Sequence, residues 1–174
     1  EVWQHTYGGK YADVLKSMVA TADGGYLIGG YSNSPATSDK NAERLGVGND
    51  YWILKLDEKG GIQWQQVVGG SGEDQLKVVL QTKDGNYIAA GQSNSNTRTT
   101  KKGTDVWVVK LDLNGGLLWE NAYDIGKNDI LTSLIEQEDG HFLMGAYSPS
   151  GYDQANDEEG INDYIALKIA PNGE

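Results

Sequence analysis

Short stretches of this chain alternate apolar and polar positions with a period of two, the pattern of strands with one face turned toward a core. In DVWVVKLD, Trp107, Val109 and Leu111 share one face, while Val106, Val108 and Lys110 share the other. YWILKLD and YIALKIA keep the same phase. QLKVVLQT, NYIAAGQS and LLWENAY add further short runs rich in β-branched and aromatic residues. No window carries a 3.6-residue period with caps, so the reading is all-β. Asp-Gly at 23–24, 84–85 and 139–140 predicts a hairpin between the first two strands of each unit. LDEKGG, LDLNGG and APNGE predict the turn from a third strand toward a fourth, Trp-bearing one.

The pattern repeats along the chain. Residues 8–34 are echoed by 69–95 and, more weakly, by 124–150; residues 48–61 match 103–116 and 161–174. Asp13 and Asp74 lie 61 positions apart, Asp74 and Asp129 lie 55 apart, and Asp23, Asp84 and Asp139 keep both steps. Three units follow: 1–61, which begins with a fourth-strand segment around Trp3; 62–116; and 117–174, which ends before the next expected Trp strand. Four-stranded antiparallel units of about 55–61 residues in tandem predict β-propeller blades, because stacking buries both faces of each sheet. Three blades are fewer than the 4–8 of an ordinary ring. The expectation is therefore an arc completed by further blades of the same polypeptide, or half of a six-bladed ring closed by a second copy. A first residue of Glu rather than Met fits a processed or excised product.

The pattern W…GG…D…T-x-DGGY…G-x-S-x-S…D-x-W-x-x-K-L-D-x-x-G-x-x-x-W covers essentially the whole chain. It resembles the repeats of extracellular β-propeller proteins common in Bacteroidota, which are often exported by type IX secretion and carry a separate C-terminal sorting domain. The resemblance implies a secreted or cell-surface protein and names no activity. The K-L-D-x-x-G-x-x-x-W portion also looks like the tryptophan-docking repeats of quinoprotein propellers, which implies architecture alone. The third repeat departs most: Ala170 stands at the turn Asp, and Asp124-Ile125 replace Gly-Gly.

Composition narrows the chemistry. The 174 residues carry 14 Lys and Arg against 25 Asp and Glu, a net charge of -11. That opposes a general nucleic-acid interface, which needs a basic footprint. No apolar run approaches the roughly 20 residues of a membrane span. With no cysteine, disulfides, thiolate zinc sites and cysteine nucleophiles are excluded. The charge is uneven: residues 1–61 carry -2, 62–116 carry +1, and 117–174 carry -10.

Residues that recur in every unit are read first as scaffold. These are Trp3, Trp64 and Trp119 as packing; Asp13, Asp74 and Asp129 at the entry to the first strand; Asp50, Asp105 and Asp163 before the third; and Lys55, Lys110 and Lys168 within it. A sharper reading makes Asp13, Asp74 and Asp129 a ring of oxygen ligands for a hard cation such as calcium. Recognition belongs where the repeat breaks. The variable loops 33–49, 94–104 and 149–162 share one end of the units with 8–12, 69–73 and 124–128. The ligand-binding candidates there are Tyr11, Arg98, Lys101, Lys102, Tyr152, Asp153, Asn156 and Asp157. Asp153, Asp157, Glu158, Glu159 and Asp163 form an irregular candidate calcium site without EF-hand spacing. No cofactor is expected beyond such calcium. His5 and His141 are the only histidines, and no G-x-S-x-G, H-E-x-x-H or P-loop motif occurs. The leading expectation is a non-enzymatic surface module that displays loops to a protein or glycan. The alternatives are a carbohydrate-active enzyme using loop carboxylates as acid and base, and a structural spacer or secreted cargo domain.

Overall fold

The computed structural model describes residues 2–95, 103–126, 128–149 and 162–174. Among these the chain is all-β, with no helix, and forms three antiparallel sheets that do not close into a barrel. Sheet I holds β1 (Asp13–Ala20), β2 (Tyr26–Ser32), β3 (Asp50–Leu56) and β4 (Ile62–Val68), in that spatial order. Sheet II repeats the order with β5 (Asp74–Gln81), β6 (Tyr87–Ser93), β7 (Asp105–Leu111) and β8 (Leu117–Tyr123). Sheet III has three strands, β9 (Ile130–Glu136), β10 (Phe142–Pro149) and β11 (Asn162–Ile169).

The register recurs as closely as the sequence. Each first strand carries one extra residue against its partner, at Lys16, Lys77 and Thr132, a bulge that bends the strand. The sheets stack face to face, so the period-two pattern fills two cores at once. Trp107, Val109 and Leu111 of β7 pack with Leu27, Tyr51 and Ile53 of sheet I. Val106 and Val108, one residue out of phase, pack with Leu131, Phe142 and Met144 of sheet III. Every residue of β7 is consequently buried, as expected for a strand covered on both faces. The first strands lie where the sheets converge: β5 packs on β1, β2 and β3, and β9 on β5, β6 and β7.

One end of the sheets is built from tight turns. The Asp-Gly segments are not two-residue type I′ turns. Only the glycine is left-handed (Gly24 φ 85°, Gly85 φ 85°, Gly140 φ 80°), and the Gly24 N–H donates to Thr21 O while the Thr21 N–H donates to Gly25 O. That is a three-residue connection with the glycine in the αL position of a bulge. The aspartate precedes it, where its carboxylate is free to bind neighbours. Asp23 accepts Lys55 Nζ at 2.7 Å and Thr21 Oγ1 at 2.5 Å. Asp84 accepts Lys110 Nζ at 2.7 Å and the Thr82 hydroxyl. Lys168 reaches Asp139 at 3.1 Å, in a more exposed setting. Ala170 keeps the turn backbone of its counterparts (Gly173 N–H to Ala170 O, 2.9 Å) without the capping carboxylate.

The tryptophans dock on the turns of the next sheet. Trp64 lies against Gly115 and donates its Nε1–H to Leu113 O at 3.0 Å; Trp119 lies against Gly173. A Cβ at either glycine would stand 2.8–3.0 Å from the indole, and both glycines sit at φ 83–85°. The segment around Trp3 differs from the expected strand. Residues 2–9 form none, because no strand among the described residues pairs with them. Trp3 keeps a ring contact with Tyr26 (6.0 Å), as Trp64 does with Tyr87 (5.7 Å), but it is exposed. The turn at Gly60 is covered instead by His5 and by Tyr7, whose hydroxyl donates to Gly60 O at 2.6 Å.

Candidate functional site

The opposite end carries the long loops, and loop 33–49 is built to hold its shape. Lys40 is 1% exposed and donates from Nζ to Ser34 O and Ala42 O, both at 2.8 Å. Burial lowers the pKa of this ammonium, against the nearby negative charges of Asp50, Asp13 and Glu43. Gln65 on β4 clamps the loop from outside: its Nε2 donates to Asp39 O at 2.8 Å, and its Oε1 accepts Asn41 N–H and Trp52 Nε1–H. The next stretch lies on loop 69–73, where Asn49 Nδ2 donates to Glu73 at 2.7 Å. At the crest Leu45 and Val47 are 57% and 86% exposed. Tyr11, at the same end, is 54% exposed with Lys10 Nζ 5.5 Å above its ring.

Carboxylates gather at this end where one sheet meets the next. At the joint between sheets I and II, Asp50 and Asp74 are both fully buried, and the Asp74 N–H donates to Asn49 O. Both oxygens of Asp74 are engaged, by the hydroxyls of Ser93 and Ser95 and by Gly70 N–H. Asp50 Oδ2 accepts Leu45 N–H at 2.7 Å, and Oδ1 faces Gly69, where a Cβ would stand 1.8 Å away. Burial raises the Asp50 carboxyl above its ordinary value, and the charge of Asp74 adds to this, against the Leu45 hydrogen bond.

The joint between sheets II and III has the same frame: Asp105 and Asp129 are buried, and Asp129 N–H donates to Thr104 O at 2.6 Å. Here a third carboxylate, Asp124, takes the place of Gly69, and one oxygen from each of the three lies within 4.8 Å of the others.

The other predicted residues fall as follows. Arg98, Lys101, Lys102, Tyr152, Asp153, Asn156, Asp157, Glu158 and Glu159 lie outside the described residues. Asp163, on β11, is exposed. Among the described residues the grouped carboxylates are Asp105, Asp124 and Asp129 rather than Asp13, Asp74 and Asp129. Asp13 is held by Gly9 N–H at 2.7 Å and the Ser34 hydroxyl at 3.2 Å. An open cavity of about 260 Å³ lies elsewhere, between residues 5–7 and the outer face of sheet I, lined by Ile28, Trp52 and Leu54. It is the counterpart of the faces by which sheets II and III pack on sheets I and II, and its polar lining is His5, Thr6, Tyr7, Asp13 and Tyr31.

The two groups of shifted carboxyls act oppositely on acid stability. Lys55 and Thr21 lower Asp23 to about 2. Burial opposes the lowering of Asp84, but hydrogen bonds from Lys110 and Thr82 outweigh it. Their stabilisation is present above the unfolded value near about 3.9 and is lost as pH falls through the folded values. The raised Asp50 contributes stability below about 3.9 that is lost as pH rises through its folded pKa. Urea denaturation across pH is expected to show stability falling below pH 4, less so in Asp23→Asn/Asp84→Asn. Asp50→Asn is expected to stabilise the protein at pH 7. A loss there would contradict a folded-state carboxyl raised by burial.

No protein-family model matches the chain, and no curated protein matches it in sequence. Among solved structures it is similar to a protein of unknown function from Bacteroides caccae, at 15% identity and a TM-score of 0.33. The match covers 91% of this chain and 64% of that one.

Proposed function

We propose that the chain is a set of β-propeller blades from a secreted or cell-surface protein whose loop-bearing end binds a protein or glycan, without catalysis. The observation that carries the reading is loop 33–49: a long loop locked by a buried lysine and presenting two exposed aliphatic side chains. Ordering such a loop before binding removes an entropic cost from recognition. Exposed Leu45 and Val47 favour a protein partner; exposed Tyr11 is the feature suited to stacking on a sugar. The propeller reading is supported by the repeated strand order, the shared bulge and the convergence of β1, β5 and β9. The apolar outer face of sheet I, with Ile28, Trp52 and Leu54, suits a further blade from the same polypeptide or a second copy.

A glycan array and a panel of surface proteins, probed with the purified chain and with Leu45→Asp/Val47→Asp, test the binding claim. The variant is expected to lose at least about tenfold in affinity at an unchanged circular dichroism spectrum, the scale of a central interface contact. A hydrolysis screen tests the enzyme alternative: glycan cleavage abolished by Asp153→Asn or Asp157→Asn would overturn the non-catalytic reading. A strictly monomeric 18.9 kDa species by light scattering would exclude the two-copy ring.

A further inference from the structure

We propose that Asp105, Asp124 and Asp129 bind a calcium ion that staples sheet II to sheet III. The inference stands on the joint between the sheets and is independent of any ligand at the loop crest.

Comparison of the two joints carries it. At the first joint both Asp74 oxygens are engaged, by Ser93 and Ser95 and by Gly70 N–H, and the one carboxylate oxygen without a hydrogen bond, Asp50 Oδ1, is packed against Gly69 with no third carboxylate beside it. At the second, Asp129 Oδ2 accepts Ile125 and Gly126 N–H at 2.8 and 3.1 Å, but Oδ1 accepts no hydrogen bond among the described residues, although Asp129 is 0% exposed. Ser148 occupies the place of Ser93. Its hydroxyl is 6% exposed in residue terms and likewise has no partner among the described residues. Both atoms turn toward Gly126, where a Cβ would stand 2.2 Å from Ser148 Oγ and 3.1 Å from Asp129 Oδ1. A buried acceptor left unsatisfied is costly, and such a group in a native structure asks for a partner.

The chemistry of the group fits a hard cation. Three carboxylate oxygens within 4.8 Å of one another match ligands placed 2.3–2.6 Å from a common centre. Calcium takes 6–8 oxygens in flexible geometry, so the Ser148 hydroxyl and water can complete the shell. Asp124 is the residue that distinguishes the joint. The first joint has Gly69 there, packed so closely that a Cβ would stand 1.8 Å from Asp50 Oδ1. The three ligands come from the start of β7 and the segment leading into β9, so an ion there ties the sheets together.

The test uses the whole chain freed of metal by chelation. Millimolar calcium is expected to raise Tm by at least about 4 °C, and calorimetry to show one calcium bound. Asp124→Gly restores the residue of the first joint and so suits the fold; it is expected to bind calcium at least about tenfold more weakly and to lose the Tm response. Asp153→Asn/Asp157→Asn is expected to keep both. Two results would each overturn the proposal. One is a wild-type protein whose Tm ignores millimolar calcium. The other is a response kept in Asp124→Gly and lost in the Asp153/Asp157 variant, which places the ion in the acidic loop.

Discussion

Trp107→Ala is expected to cost about 3–5 kcal/mol, the range for removing a large buried aromatic. Trp107 is fully buried in the core between sheets I and II, its ring 4.6 Å from that of Tyr51, whose hydroxyl donates to Trp107 O. A domain of this kind has about 5–15 kcal/mol in total, so much of its stability is at stake. The core here is shared by two sheets, so the cavity weakens their joint as well as one sheet. Urea denaturation with matched slopes measures the loss. A cost under about 1 kcal/mol would mean that the sheets do not depend on this packing.

Asp74→Ala is expected to cost about 3–5 kcal/mol as well, through unsatisfied donors rather than a cavity. Removing the carboxylate, itself fully buried, leaves the buried Ser93 and Ser95 hydroxyls and the part-buried Gly70 N–H without their acceptor. Asp129→Ala in calcium-free protein is expected to cost clearly less, because only Oδ2 is engaged among the described residues. Equal losses at the two positions would show that the joints are equivalent and that the Asp129 network is closed in solution. The comparison therefore separates a structural anchor from a ligand in residues that occupy the same place in the repeat.

Much of the sheet architecture was legible in the chain because it is written in local patterns. DVWVVKLD and its repeat YWILKLD have apolar side chains on both faces, and β7 and β3 are buried along their whole length. The Asp-Gly pairs marked their hairpins, although the turn places the aspartate before the left-handed residue, where it can meet Lys55 and Lys110. Trp3 shows the limit of the pattern. Its neighbourhood reads as a strand, but a strand needs a paired neighbour, and residues 2–9 have none among the described residues. Lys40 was not legible at all. A lysine in a polar loop carries no sign of burial, and its two carbonyl partners depend on how the loop folds back. The grouped carboxylates were half legible. Asp105 and Asp129 stand out as repeat anchors and Asp124 as a departure from glycine, but their meeting depends on which sheets are neighbours.

The proposed binding role makes the loop-bearing end the working end of the molecule and the turn-bearing end its scaffold. Binding of a ligand recovered from the arrays to three proteins tests this most directly: the wild-type chain, Leu45→Asp/Val47→Asp at the loop crest, and Leu113→Asp on an exposed turn at the other end. Affinity lost by at least about tenfold in the crest variant and kept in the turn variant is the predicted result. Affinity kept in the crest variant and lost in the turn variant would contradict it.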